Sequence, residues 1–280
     1  KTWQLVTEAE DWRSTPMVST VNSAATRTLS TLAAQTRIGS LDLQFSRGWD
    51  ESIDRQKGRF IQRWGQSSWE DAILQGPHLY VSTPLYKQPN ETMRHFLDWT
   101  STDLEALSPS AQPITQYKPA GDRDTYDRLY THWGDSSARD HYRIAWRRMA
   151  ANTGERTLTP AIIPPGAAHV HPICSAGHPE DTSTILILVS GLTSSLLTDF
   201  QIRSRARNDI HGSDFSLLPA PNPHSEVATA ILLRTLRLNC LTDAYADLWA
   251  ECWDDSFVTD VPILERYDER PIAPEWTADT

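Results

Sequence analysis

Tyr142–His171 reads YRIAWRRMAANTGERTLTPAIIPPGAAHVH, and the conformation of this stretch sets what must pack around it. Arg143, Arg147 and Arg148 fall at the i, i+4 spacing that lines up one helix face, so His141–Ala151 is expected to be a helix or an extended arm. Arg156 and Thr157 open an alternating run that predicts a strand over Leu158–Ile163, and Pro164, Pro165 and Gly166 stop it. Arginines followed by a strand and a turn suit a surface that reads a polyanion. A solvated helix face laced with salt bridges has the same periodicity.

The overall charge argues against a polyanion until its distribution is examined. The 280 residues carry a formal net charge of -10. Residues 241–280 hold eleven acidic side chains against Arg266 and Arg270, which leaves residues 1–240 close to neutral. Phosphates respond to the field at the contact face rather than to the whole-chain sum. The composition, 39% hydrophobic with 11 tryptophans and 12 glycines, is that of a globular α+β chain rather than a low-complexity one. Cys174, Cys240 and Cys252 show no paired spacing, which points to a reducing, cytoplasmic compartment. No run reaches the roughly 18 apolar residues of a membrane span. The chain begins at Lys1 rather than methionine, in mid-pattern, which leads to the expectation that an N-terminal portion precedes it.

Outward from the arginine stretch, Asp122–Trp133 predicts a helix with Tyr126, Leu129, Tyr130 and Trp133 turned to the core. Asn22–Arg37 predicts another, with Leu29, Leu32 and Ala33 inward. Leu41–Phe45 alternates like a short strand, and a charged stretch follows over Asp50–Arg59. Trp69–Leu74 reads as one or two helical turns, Leu79–Ser82 as a strand and Asp98–Leu107 as a short capped helix, with loop and edge strand from there to Pro119. Ile185–Val189 reads as a buried strand and Ser194–Phe200 as a short helix. Arg203, Arg205 and Arg207 alternate as if on one face of an extended segment. Glu226–Trp253 is strongly helical, with a break near Asn239.

Catalytic signatures are missing: no G-x-G, P-loop, G-x-S-x-G, H-E-x-x-H or Asn-Pro-Pro-aromatic tetrapeptide occurs. His169, His171, Cys174 and His178 are zinc-ligand types, which keeps a metal-dependent hydrolase as an alternative. Their spacing within one short loop matches no common site, and no metal is expected. A protein-interaction module using the tryptophan-rich surface and the last helix is the other alternative.

Five patches occur in order: ILQGPHLYVSTPLYKQPN, YRIAWRRMAANTGERTL with IIPPGAAH, GLTSSLLTDFQIRSR, the LLPAPNP break and RTLRLNCLTDAYADLW. Over roughly residues 45 to 255 the chain thereby resembles the C-terminal target-recognition region of large adenine-specific DNA methyltransferases, of type IIG restriction-modification and related phage-defence systems. The resemblance implies a portion that grips duplex DNA and reads its sequence. The S-adenosylmethionine site and the base-flipping chemistry would lie in a methyltransferase domain outside this chain. It implies DNA contacts at Arg143, Arg147, Arg148, Arg156, Thr157, Arg203 and Arg205, at Ser194 and Ser195 in the GLTSSL turn, and at Lys87 on its loop. Base reading and phosphate positioning both stay open for the arginines.

The expected architecture is an α+β fold: a mixed or antiparallel sheet forming the target-recognition domain, then a long C-terminal helical segment. Residues 1–75 would pack on the core, 76–225 form the DNA-binding domain, and 226–280 supply the helix and an acidic tail. No catalytic residue and no cofactor is expected in the chain. The partners would be double-stranded DNA, the methyltransferase domain and defence-system proteins, with no membrane.

Overall fold

Arg143–Arg147 is a strand, not a helix, because both of its faces are walled by apolar elements. Ile144 and Trp146 point into one cluster with Ile38, Leu186, Val189, Ile202 and Phe215. Ala145 points into the opposite one with Leu74, Leu79, Ala161, Ile163 and Ile173. A helix would expose part of this run, whereas a strand buried on both sides hides all of it. Trp146 stacks on Phe215 at 4.1 Å and donates its indole N–H to the Ile210 carbonyl at 2.9 Å, which fixes the strand against the helical layer.

The computed structural model describes residues 2–7, 9–15, 17–20, 22–151, 153–180, 183–205, 208–260 and 272–278. The strands in chain order are β1 (Gln44–Ser46), β2 (Phe60–Gln66), β3 (Ile73–Leu74), β4 (Lys87–Pro89), β5 (Trp99–Ser101), β6 (Ile114–Pro119), β7 (His132–Trp133), β8 (Ser136–Ser137), β9 (Arg143–Arg147), β10 (Pro160–Ile163), β11 (Ala168–His169) and β12 (Ile173–Gly177). The helices are α1 (Thr2–Thr7), α2 (Ser23–Ala33), α3 (Ile53–Gln56), α4 (Arg123–Leu129), α5 (Ser183–Thr193), α6 (Leu196–Ser204), α7 (Gly212–Ser216), α8 (Ala228–Asn239) and α9 (Ala246–Glu251).

The fold is α+β. Its central sheet is antiparallel with order β1-β12-β9-β10, and Ile144 lies opposite both Ile162 and Ala176. On one face lie α5, α6 and α7; on the other, the short parallel pair β3–β11. The C-terminal segment is helical. Here α8 and α9 pack with α5 around Ile187, Leu233, Leu236 and Trp249, and Gly191 of α5 lets Thr235 of α8 approach so closely that a Cβ would sit 2.2 Å from its hydroxyl. A fourth cluster joins Trp49, Phe60, Tyr117, Tyr126, Tyr130 and Trp133.

Several expectations need correcting. Ile185–Val189 lies in helix α5, not a strand: a short apolar run has the same pattern in either state, and contact with α8 on one side and the sheet on the other selects the helix. Trp99–Ser101 is a strand paired with Lys87–Pro89, not the start of a helix. Ser101, expected with Thr102 as a helix cap, lies in that strand, and Asp98 closes the turn before it, accepting from Asn90 Nδ2, Thr92 Oγ1 and the Arg94 amide. Leu79–Ser82 contributes only a bridge between Tyr80 and Thr83. Trp69–Asp71 is a single 3-10 turn leading into β3. Arg203 sits in α6 and Arg205 caps its C-terminus, so the two do not share an extended face; Arg207 lies outside the described residues.

Helix α4 starts where expected, with Asp122 as its N-cap and Tyr126 buried, but ends at Leu129, which is 45% exposed, and Trp133 lies in β7 rather than on the helix. Helix α2 buries Leu29 and Ala33 behind the Asn22 cap. The last helical run breaks at Cys240, close to Asn239. Residues 261–271 of the acidic tail lie outside the described residues. After them, Ile272 and Trp276 return to the α8–α9 cluster, and the Trp276 indole donates to the Cys240 carbonyl at 2.8 Å. No single helix among the described residues is long and apolar enough to cross a membrane.

Candidate nucleic-acid interface

The ten residues singled out from the sequence fall into four places. Arg143 and Arg205 are interior. Arg143 has no exposed surface and donates to the Ala167 and His141 carbonyls, and burial holds its guanidinium below the usual arginine range. Arg205 is 6% exposed and donates to the Val6 carbonyl at 2.7 Å, tying α6 to α1.

Five others converge on Asp199 of α6, itself buried. Its Oδ1 accepts the backbone N–H groups of Thr157 and Leu158, each at 2.8 Å. Arg203 approaches the same carboxylate at 2.9 Å and Arg156 at 3.7 Å. Arg156 also donates to the Ser194 and Ser195 carbonyls, and Ser195 is the N-cap of α6. This knot fastens the chain entering β10 to the start of α6, and the carboxylate offsets the cations that the sequence offered to DNA.

Lys87 and Arg147 meet at Tyr86. The Lys87 ammonium lies 5.1 Å and the Arg147 guanidinium 5.9 Å from the Tyr86 ring, which also stacks with Tyr80 at 4.7 Å. Arg147 donates Nε to the Gly76 carbonyl at 2.8 Å, and burial lowers its pKa.

Arg148 leads to an open cleft, as Lys87 does to a smaller one of about 300 Å³ beside His78 and Gln88. Arg143, Ala145 and Arg147 share one face of the strand, so Arg148 at its end turns the other way. The cleft has a volume of about 400 Å³, with Phe45, Arg47, Arg148, His171, Cys174 and His211 among its walls. Backbone bonds hold Arg148 in place: its N–H donates to Pro172 at 2.8 Å and its carbonyl accepts from Ile210 at 2.6 Å. Its side chain faces Asp209 at 3.5 Å without making a hydrogen bond through Nε. Arg47 pairs with Asp50 at 3.0 Å and has 67% of its side chain in solvent. The pKa of His171 is lowered by burial first and then by Arg148 and Arg47, against the opposite pull of Asp50 and Glu51, so the imidazole is held toward its neutral form. Burial pushes the Cys174 thiol up to about 11, which keeps it protonated.

The histidine-cysteine loop does not gather into a metal centre. His169 is fully buried and bonds Ser175 Oγ at 2.8 Å, His171 and Cys174 face the cleft, and His178 is half-buried, bonding the backbone of Glu180. Among the described residues no group of three or more His, Cys, Asp or Glu side chains is placed to hold a metal ion.

Sequence reasoning missed Arg47 and His211. The alternation of Leu41–Phe45 ended before Arg47, and nothing in the sequence brings His211 beside His171; the pairing of β1 with β12 and the bond from Ile210 to Arg148 do so. No family model matches the chain, and no match was found among curated proteins.

Proposed function

We propose that this chain binds double-stranded DNA sequence-specifically, as the specificity portion of an adenine-specific DNA methyltransferase acting in a restriction-modification or phage-defence system in the cytoplasm. S-adenosylmethionine and the catalytic residues belong to a methyltransferase domain outside this chain. The observation that carries the reading is the cleft in which Arg47, Arg148, His171 and His211 surround a solvent-open space on a protein of net charge -10. The ordered sequence patches support it independently. In this reading Arg148 and Arg47 meet phosphates, Arg147 and Lys87 hold the neighbouring surface through Tyr86, and the Asp199 knot and the two interior arginines maintain the scaffold.

The test is binding of a fluorescent mixed-sequence duplex across a salt series. Each phosphate contact contributes about 0.9 to the slope of log affinity against log salt. Arg148→Ala with Arg47→Ala therefore flattens the slope by about 1.8. Arg156→Ala leaves the slope where it was. An unchanged slope in the double variant removes the cleft from the interface.

A further inference from the structure

Strand β2 and the turn leading into it form a basic, almost wholly exposed edge. Residues 55–66 read RQKGRFIQRWGQ, with Arg55, Lys57, Arg59 and Arg63 and no acidic residue. The partner strand β6 adds Lys118, again with no acid. In β2 only Phe60 is buried; Ile61, Gln62, Arg63, Trp64 and Gln66 are exposed, so side chains of both strand faces reach solvent. A strand that shows both faces to water is unusual in a packed sheet, where alternation hides one of them.

The ribbon is rigid despite its exposure. Phe60 and Tyr117 seat it in the aromatic cluster with rings 5.1 Å apart, and the Trp64 indole is pinned to the Pro89 carbonyl at 2.7 Å. Lys118 donates to the Gly65 and Gln66 carbonyls and to Ser67, bracing the bulge between Gln62 and Gly65. A bulge twists a strand and re-aims the side chains beside it.

A chain of contacts joins its root to a wall of the cleft. Arg47 pairs with Asp50, whose amide donates to Asp54 Oδ2 at 2.7 Å, and the other oxygen of Asp54 pairs with Arg59 at 3.0 Å. Cations on an edge strand also discourage strand-to-strand aggregation, but that role has no use for the neighbouring amides Gln62 and Gln66.

Resting on the DNA-binding reading above, we infer that β2 is the groove-reading edge of this protein. Lys57 and Arg55 meet backbone phosphates, while Gln62 and Arg63 reach base edges in the major groove. A two-stranded ribbon fits that groove, and the donor sets of arginine and glutamine match guanine and adenine.

The experiment uses the whole 280-residue chain. Wild type, Lys57→Ala, Gln62→Ala and Arg63→Ala are each run through selection from a randomised duplex library, then titrated with the wild-type winner across a salt series. Far-UV circular dichroism verifies that these exposed-site variants fold. Lys57→Ala is expected to lower the salt slope by about 0.9 while keeping the selected sequence. Arg63→Ala is expected to lose roughly 5- to 150-fold affinity for the selected duplex and to relax its preference at one position. Wild-type binding with all three variants unchanged in slope and selected sequence overturns the role of β2 and leaves the DNA reading standing. Failure of the wild type to bind any duplex overturns both.

Discussion

Replacing Asp199 should cost more stability than replacing any one of the cations around it. Asp199→Ala strips the acceptor from the Thr157 and Leu158 amides, which are 2% and 0% exposed as residues and so have little access to replacement water. Each orphaned buried donor costs about 1–3 kcal/mol. Arg156 and Arg203 also lose their counter-charge, though Arg203 has 32% of its side chain in solvent and is cheaply rehydrated. The total is about 4 kcal/mol, a large part of the 5–15 kcal/mol typical of a domain. Asp199→Asn keeps the carbonyl oxygen for both amides and loses only the charge, for about 1–2 kcal/mol. Urea unfolding followed by tryptophan fluorescence measures both, read as midpoint shifts at constant m-value. A loss below about 1 kcal/mol in Asp199→Ala refutes the knot as the fastener between β10 and α6. So does a larger loss in Arg203→Ala than in Asp199→Ala.

Two further predictions concern the interior. Burial pushes His169 down to about 3 and His78 down to about 4, so both are neutral when folded, while the unfolded chain takes up their protons near pH 6.5. Stability is therefore complete above pH 6.5 and is lost as pH falls toward 4. By pH 5 the two together cost about 4 kcal/mol, seen as a melting temperature well below that at pH 7. Equal melting temperatures at pH 7 and 5 contradict this. Gly48 has φ +72, and a Cβ there would lie 2.2 Å from the His169 carbonyl oxygen that accepts the Trp49 amide. Gly48→Ala should cost well over 2 kcal/mol, against about 1 for Gly58→Ala, which has a similar φ of +69 and open space around it. Equal losses by urea titration would show that the close approach to His169 contributes nothing.

What could be read from the sequence follows from where the deciding interaction sits. Helix α4 was legible because its cap, Asp122, and its buried Tyr126 are local, and the break at Cys240 because it ends a long periodic run. The arginine stretch stayed open between helix and extended arm because i and i+4 share a face in a helix and in a strand alike, so Arg143 and Arg147 align in both. Only the apolar walls around Ile144, Ala145 and Trp146 select the strand, and those come from residues distant in the chain. Ile185–Val189 failed the same way with the opposite outcome.

The cations divide along the same line. An arginine in a pattern of apolar neighbours, such as Arg143, is drawn inside with the strand that carries it, and its charge is spent on carbonyls of the fold. Arg203 is neutralised by Asp199 one turn earlier on its own helix, and Arg156 by the same carboxylate delivered by tertiary folding. Beside Arg47 and Arg148 of the cleft, what the proposed reading leaves for a polyanion is a set whose strand shows both faces to water and whose own segment holds no acid. That condition adds residues 55–66 to the one cleft arginine that Tyr142–His171 supplies. Both halves of it are readable without coordinates: a twelve-residue run with four cations and no carboxylate, and polar amides where a buried strand would place apolar side chains. The density of arginine alone is the poorer guide, because desolvation penalises an interior guanidinium unless carbonyls or carboxylates meet it, and a fold that meets it leaves nothing for a phosphate.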